Sequence, residues 1–145
     1  MQDMAHAVHP NFAGKHEGRH CPKLNGGMVV KEHCKQRYAT SAVTEAVMRK
    51  LCRERDVPMQ QFVLRQDMNG GTTIGPIVST KEGIYTLDCG LPQLAMHSIR
   101  ETMGSKDVKY GIDFVQAFLE GYGEVGEGGV AYGQLADTIQ IDVEV

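Results

Sequence analysis

The residues best suited to chemistry stand at the start of the sequence. Asp3, His6 and His9 fall within the stretch DMAHAVH and offer one carboxylate and two imidazoles. Zinc binds these side chains in proteins, together with thiolates. Two histidines do not complete a tetrahedral site, and the nearest thiol, Cys21, lies across a glycine-rich loop. From these residues alone, a small metal site and ordinary surface histidines both remain open, and the second is favoured.

A second candidate is His97, in the stretch LAMHSIRE. It follows a predicted strand end by a few residues, and loops at strand ends are where α/β proteins gather their sites. A hydrogen-bonded core histidine is the ordinary alternative and is favoured on this stretch alone. His16 and His20 lie four positions apart, but nearby glycines and a proline oppose a helix, so we predict solvated loop histidines. His33 is predicted to lie on the surface.

The composition excludes several classes of protein. The chain has 145 residues, 41% of them hydrophobic, and a net charge of -3, which fits one globular domain or a piece of a larger one. The charge opposes a nucleic-acid partner, and no run reaches the ~18 apolar residues of a membrane span. No signal peptide is evident, and four scattered cysteines favour a reducing compartment. We therefore expect a cytoplasmic chain, or a fragment whose start is missing.

Two glycine-rich stretches match nucleotide-binding motifs only in part. Gly121, Gly123 and Gly126 have the dinucleotide spacing but follow a predicted helix rather than a strand, so we interpret them as a linker. Residues 70–75 lack the lysine of a phosphate-binding loop. They predict a tight turn into a helix whose free N–H groups face an anion, or equally a plain helix entry.

Hydrophobic periodicity places these residues on an alternation of helices and strands. Residues 1–27 are predicted to be loop, and Ser41 is a plausible helix N-cap. Strands are predicted at 28–31, 61–65, 84–88 and 139–145, and helices at 41–55, 72–80 and 107–120. Helices between short strands indicate an α/β layered architecture.

Several motifs, taken together and in order, carry a family resemblance. These are DMAHAVHPN from Asp3, KQRYA from Lys35, GTTIGPI from Gly71 and QLAMHSIRE from Gln93. They resemble the C-terminal part of aspartyl aminopeptidases, two-metal zinc exopeptidases that remove N-terminal Asp or Glu from peptides. The resemblance runs from Asp3 to about Phe118.

The resemblance implies a role for each matching residue. Asp3 corresponds to a carboxylate ligand of one metal within the substrate-binding site, and His97 to an imidazole ligand of the other. His6, Lys31 and Tyr38 correspond to substrate-contacting positions near the metals. No catalytic residue is implied within this chain.

The resemblance also implies the architecture and the assembly. It implies a zinc-exopeptidase α/β fold, with a mixed sheet flanked by helices, two zinc ions per complete site and a homo-oligomer that is a dodecamer in the family. The expected organisation is a catalytic-domain part over 1–122, a glycine-rich connector over 123–133 and a terminal strand over 134–145.

Two hypotheses follow from what the sequence lacks. The family's first metal-binding histidine, its bridging carboxylate and its Glu-Glu pair, which includes the general base, are expected upstream of Met1. The first hypothesis is a zinc aminopeptidase of which this is the C-terminal section. The second is a non-catalytic fragment that at most binds metal weakly or associates with another subunit.

Overall fold

Strand β2, Met28–Glu32, is the centre of one sheet in the computed structural model, which describes residues 3–127. It pairs in parallel with β3, Met59–Val63, and antiparallel with β4, Cys89–Gly90. The order β3-β2-β4 therefore mixes both directions. β2 is flanked on both sides and almost fully buried, which suits its apolar run of residues.

A second mixed sheet continues from the first. Its strands are β1, Ala5–His6, β5, Pro92–Leu94, and β6, Thr102–Met103, in the order β1-β5-β6. Asp3 N–H donates to the carbonyl of Cys89 (2.6 Å), and the parallel β1–β5 pairing follows from there. The segment that begins at Asp3 therefore lies against both β4 and β5.

Three α-helices flank these sheets in the described part of the chain: α1, Ala42–Glu54, α2, Ile74–Glu82, and α3, Ser105–Glu127. The predicted cap is confirmed, because Ser41 and Thr44 form a reciprocal capping box at the start of α1. α1 packs against α3. The expected α/β fold, with mixed sheets flanked by helices, is thereby confirmed. None of the helices within 3–127 is long and apolar enough to cross a bilayer.

The two faces of β2 bury different clusters. Met28 and Val30 pack with side chains of α1 and α3, whereas Val29 packs with Tyr38 and Phe62 on the other side. Successive strand residues point to opposite faces, so a polar side chain two residues beyond Val29 also faces away from α1 and α3. That face carries the candidate site. The main cluster consists of Met28, Val30, Met48, Cys52, Val57, Cys89, Leu91 and Phe114.

The strand predicted at 84–88 is wrong. Residues 83–88 are irregular, and Ile84 and Tyr85 are exposed. Pairing begins only at Cys89, where the backbone meets β2 on one side and the segment from Asp3 on the other. Side chains with strand propensity do not form a strand when no partner lies beside them.

Other predicted boundaries also move. The loop predicted over 1–27 contains β1 and a short 3₁₀ helix, Pro10–Lys15. The predicted strand at 61–65 begins two residues earlier, and the helix at 72–80 ends two residues later. α3 extends to Glu127, so the first residues of the connector predicted at 123–133 are helical. The rest of that connector and the strand predicted at 134–145 lie outside the described residues.

A fully buried carboxylate fixes the turn before β2 to the start of α3. Asp107, in the first turn of α3, accepts hydrogen bonds from the N–H groups of Asn25 (2.6 Å) and Gly27 (3.0 Å). Asn25 and Gly27 both have positive φ, so this turn depends on outside support.

Replacing Asp107 with alanine is expected to lower the free energy of unfolding by ~3 kcal/mol, because two backbone N–H groups lose a charged acceptor and that of Gly27 is buried. Urea unfolding followed by circular dichroism measures this loss. Asp113, further along α3 and paired with Lys109, is the matched control. Its replacement is expected to change stability by less than ~0.5 kcal/mol. Equal losses in the two variants would contradict the role of Asp107.

Candidate functional site

Lys31 is the centre of the candidate site. It lies in β2, only 6% of its surface is exposed, and its ammonium group donates to the carboxylate of Asp3 and to the carbonyl of Met4 (3.2 Å). The ammonium also lies 4.4 Å from the centre of the Tyr38 ring. A buried cation needs such partners, and the carboxylate, the carbonyl and the aromatic face each stabilise it.

Tyr38 covers Lys31 from an irregular turn that follows β2. Its ring is 7% exposed and packs on Phe62, with ring centroids 6.4 Å apart. Burial, reinforced by the negative charges of Asp3 and Asp88, raises the pKa of Tyr38 to about 12. The phenol is therefore a neutral hydrogen-bond donor at neutral pH.

His6 lies at the end of β1 on the same side. Partial burial lowers its pKa, and the positive charges of Lys31, His97 and Lys15 lower it further, while Asp3 acts in the opposite direction. The imidazole is therefore neutral near pH 7 and can donate and accept one hydrogen bond. Lys31 and Lys15 add positive charge near this imidazole, and positive charge is suited to an acidic ligand.

His97 lies in the turn that follows β5, and its side chain is exposed. Its φ of 67° is in the left-handed region, as is that of Ala95 at 57°. A non-glycine residue held there is strained, and such residues cluster at functional sites. β5 pairs in parallel with β1, so the turn after β5 and the segment after His6 leave the sheet at the same end.

The structure therefore brings the residues singled out from the sequence to one side of the sheet. Asp3, Lys31 and Tyr38 are in direct contact, and His6 and His97 lie beside them within electrostatic range. Within residues 3–127, no three His, Cys, Asp or Glu side chains converge closely enough to hold a metal ion. Asp3 and His97 have the chemistry that zinc binds, but two ligands leave a tetrahedral site incomplete.

Two histidines predicted to be solvated are buried. His16 and His33 are each 8% exposed, and both pack edge-on against a ring, His16 against Phe62 and His33 against Tyr38. Burial lowers the pKa of both imidazoles. The prediction failed for His16 because Phe62 lies far along the chain and leaves no local signal. Tyr38 is close to His33 in the sequence, but their contact depends on the irregular turn that follows β2.

Asp88 is the functional candidate that the sequence reasoning missed. It is fully buried, and its carboxylate accepts a hydrogen bond from the backbone N–H of Ala39 (2.7 Å), next to Tyr38. The sequence did contain a signal for it, because Asp88 is a charged residue inside the apolar stretch YTLDCGL. A carboxylate in such a stretch is buried only when other groups bind it.

The buried acids of the core predict a loss of stability in alkali. Burial raises the pKa of Cys52 to about 12 and that of Cys89 to about 11, from an ordinary 9.0, and Tyr38 shifts upward as described. Above about pH 9 the unfolded chain releases protons that the folded chain retains. The free energy of unfolding is therefore expected to fall as pH rises from about 9 towards 12, by on the order of 2 kcal/mol per group.

Urea unfolding in the presence of a reductant, repeated at pH values from about 8 to 11, measures this dependence. The Cys52→Ala variant is expected to show a shallower decline, because one of the three acids is absent. A decline of unchanged slope in that variant would remove Cys52 from the explanation.

Comparison with known proteins defines the class to which this fold and site belong. The fold is that of aminopeptidase catalytic domains. Residues 1–119 match the family model described as "Aminopeptidase I zinc metalloprotease (M18)". The chain belongs to this family of aminopeptidases.

Two relatives and two solved structures are similar to the chain. A "Probable M18 family aminopeptidase 2" from Stutzerimonas stutzeri is 54% identical over 116 residues, which cover 80% of this chain and 27% of the relative. A "Probable aspartyl aminopeptidase" from Ricinus communis is 49% identical over 120 residues, 83% of this chain and 24% of the relative. The chain thus spans about a quarter of the length of these relatives.

Two solved structures of aminopeptidases are also similar to this chain. A chain in the "Cryo-EM structure of the Ape4 and Nbr1 complex" matches 88% of this chain with a TM-score of 0.85 and 41% identity, over 24% of its own length. The "Structure of S. cerevesiae mApe1 dodecamer" matches 87% of this chain with a TM-score of 0.75 and 34% identity, over 28% of its own length.

Proposed function

We propose that this chain is the C-terminal part of the catalytic domain of a zinc-dependent aspartyl aminopeptidase, which removes N-terminal Asp or Glu from peptides. The observation that carries the proposal is the contact of Asp3, Lys31 and Tyr38 beside His6 and His97. The name of the Ricinus communis relative supports the same substrate class.

The proposed ligands are Asp3 for one zinc ion and His97 for a second, with the remaining ligands outside the described residues. Bound zinc supplies polarisation of the scissile carbonyl and activation of water. This chain's own residues bind and orient the peptide. Lys31 donates to a substrate carboxylate, and the neutral Tyr38 hydroxyl and His6 imidazole add hydrogen bonds.

The assembly and compartment belong to the same proposal. A structural neighbour is described as a dodecamer, which supports a homo-oligomer for the complete enzyme. None of the four cysteines forms a disulfide within residues 3–127, which supports a reducing, cytoplasmic compartment. The acidic balance of the chain supports neither a nucleic acid nor a membrane as partner.

The second candidate function is a non-catalytic fragment that binds metal weakly or associates with other subunits. It is favoured by the incomplete donor set within residues 3–127. The two candidates differ in what the isolated chain does and in what it does once the rest of a catalytic domain is supplied.

A chimera separates these candidates. In the Stutzerimonas stutzeri relative, the segment that matches this chain over 116 residues is replaced by the corresponding residues of this chain. We expect the chimera to release Asp and Glu from fluorogenic aminoacyl substrates in preference to Ala and Leu, and a chelator to abolish this activity. The isolated chain is expected to show no turnover.

Two outcomes would contradict these expectations. Chelator-sensitive turnover by the isolated chain would show that its own residues suffice for catalysis. A correctly assembled chimera that releases neutral but not acidic residues would overturn the proposed substrate class. The unmodified relative, assayed in parallel, is the control for folding and assembly.

A further inference from the structure

Asp88 joins Lys31 and Tyr38, two of the residues that are proposed to bind substrate. Its backbone carbonyl accepts from the N–H of Lys31 (2.9 Å), and its carboxylate accepts from the N–H of Ala39 (2.7 Å), the neighbour of Tyr38. Thr40 adds a reciprocal pair, since its hydroxyl donates to the carbonyl of Asp88 (3.3 Å) and accepts from its N–H (3.2 Å). One residue thus holds both β2 and the turn that carries Tyr38.

The second oxygen of this carboxylate faces the first turn of α2. A Cβ built on Gly75 would lie 2.2 Å from Oδ1 of Asp88, so only glycine leaves room for the carboxylate. Thr73, the N-cap of α2, makes no side-chain capping bond. Negative charge is favoured at a helix N-terminus, where N–H groups lack partners. The carboxylate lies beside this helix start, and its Oδ1 makes no hydrogen bond within residues 3–127.

Tyr38 needs such support from outside its own segment. Residues 33–41 form no helix or strand, and Gln36 within them has a positive φ of 55°. Lys31, in contrast, is fixed by strand pairing on both sides. The bonds that Asp88 makes to the turn therefore help to set the position of the Tyr38 ring relative to the Lys31 ammonium, together with the bond from the Thr72 hydroxyl to the carbonyl of Arg37 (3.0 Å).

We infer that Asp88 is a positioning residue, which holds the Tyr38 ring over Lys31 from the space that the missing side chain of Gly75 leaves beside the first turn of α2. Its importance for substrate binding rests on the proposed function. The positioning can be tested on the isolated chain without metal or substrate. A negative result for the positioning role of Asp88 therefore leaves the proposed function untouched, and the reverse also holds.

Nuclear magnetic resonance of the isotope-labelled full chain tests the positioning directly. An ammonium stacked on an aromatic ring carries its neighbouring methylene protons into the shielding region of that ring. We expect the upfield shift of the Lys31 ε-methylene protons to be lost in Asp88→Ala. It is expected to be reduced in Asp88→Asn, which keeps one acceptor oxygen but presents an amide N–H group to the start of α2.

The matched control is Asp107→Asn. Asp107 is equally buried, accepts two backbone N–H groups and lies in the first turn of α3, but it contacts the turn before β2 rather than the turn that carries Tyr38. We expect this variant to lose stability while the Lys31 shift is unchanged. An unchanged shift in folded Asp88→Ala would overturn the inference, as would an equal loss of the shift in Asp107→Asn.

A second measurement keeps the test decisive if Asp88→Ala does not fold. The methyl group of Gly75→Ala overlaps the position of Oδ1, so this variant is expected to displace the carboxylate and to reduce the Lys31 shift with Asp88 intact. In the double variant Gly75→Ala/Asp88→Ala, the methyl group enters vacated space, so its stability is expected to exceed the additive value. A Gly75→Ala variant with the wild-type Lys31 shift would overturn the inference.

Discussion

Replacing His97 with alanine in the chimera is expected to lower the rate of Asp release at least about 100-fold. Loss of a residue that only supports a metal ligand already lowers metal affinity or activity by up to about 100-fold. The reason is the proposed role of His97 as the imidazole ligand of one zinc ion. Zinc content per subunit, measured by atomic absorption, is expected to fall together with the rate.

The environment of His97 makes this variant informative. The side chain is exposed, so its removal leaves no cavity. Its positive φ of 67° is tolerated somewhat better by asparagine than by alanine, so His97→Asn is the companion variant with the smaller effect on the turn. Both variants are expected to lose zinc and activity while the chimera keeps its assembly.

His20→Ala is the matched control for His97. His20 is also a loop histidine with partial exposure, and its ring pairs with Glu17 at the surface. We expect wild-type zinc content and rate for this variant. A His97→Ala chimera that retains full rate and zinc would remove His97 from the metal site, and a parallel loss in His20→Ala would make the effect nonspecific.

Sequence patterns correctly predicted the helices and strands whose signals lie within a single element. The cap at Ser41, the apolar run of β2 and the periodicity of α3 each lie within one element, and each element is present. The strand at 84–88 failed for the opposite reason, because pairing depends on a segment more than eighty residues away, at Asp3. β1 was missed likewise, since two residues become a strand only beside β5.

The candidate site shows the same division. Only the family resemblance predicted a role in one site for Asp3, His6, Lys31 and Tyr38. The structure places these four residues side by side. The burial of His16 depends on Phe62, which lies far along the chain and on another strand. No periodicity reports such a contact, so the sequence favoured the solvated alternative.

The second large effect is expected at Gly90, in β4, which is enclosed on both sides. It pairs with Val29 of β2, and a Cβ built on it would lie 2.0 Å from the carbonyl oxygen of Asp3. The obstructing atoms belong to the backbone and cannot rotate away as the tip of a side chain can. Gly90→Ala is therefore expected to lower the free energy of unfolding by about 3 kcal/mol, the upper end for overpacking a core.

Gly71→Ala is the control, because a Cβ built on Gly71 meets nothing within 4 Å. Its stability in urea is expected to lie within ~0.5 kcal/mol of the wild-type chain, as for other surface changes. Equal stability of Gly90→Ala and Gly71→Ala would show that the backbone at Asp3 can move away from β4 without a loss of free energy of unfolding.

The effect of Gly90→Ala is also expected to reach the site. The backbone of Asp3 is the obstructing group, and its carboxylate is the partner of Lys31. Moving that backbone separates the ion pair, so the carboxylate and ammonium resonances of the two residues should shift together in Gly90→Ala and remain in place in Gly71→Ala. Asp3→Ala, in contrast, removes the carboxylate but leaves the N–H bond from residue 3 to Cys89 intact. The glycine therefore sets where the candidate metal ligand stands, because only a residue without a side chain lets the segment at Asp3 lie against β4.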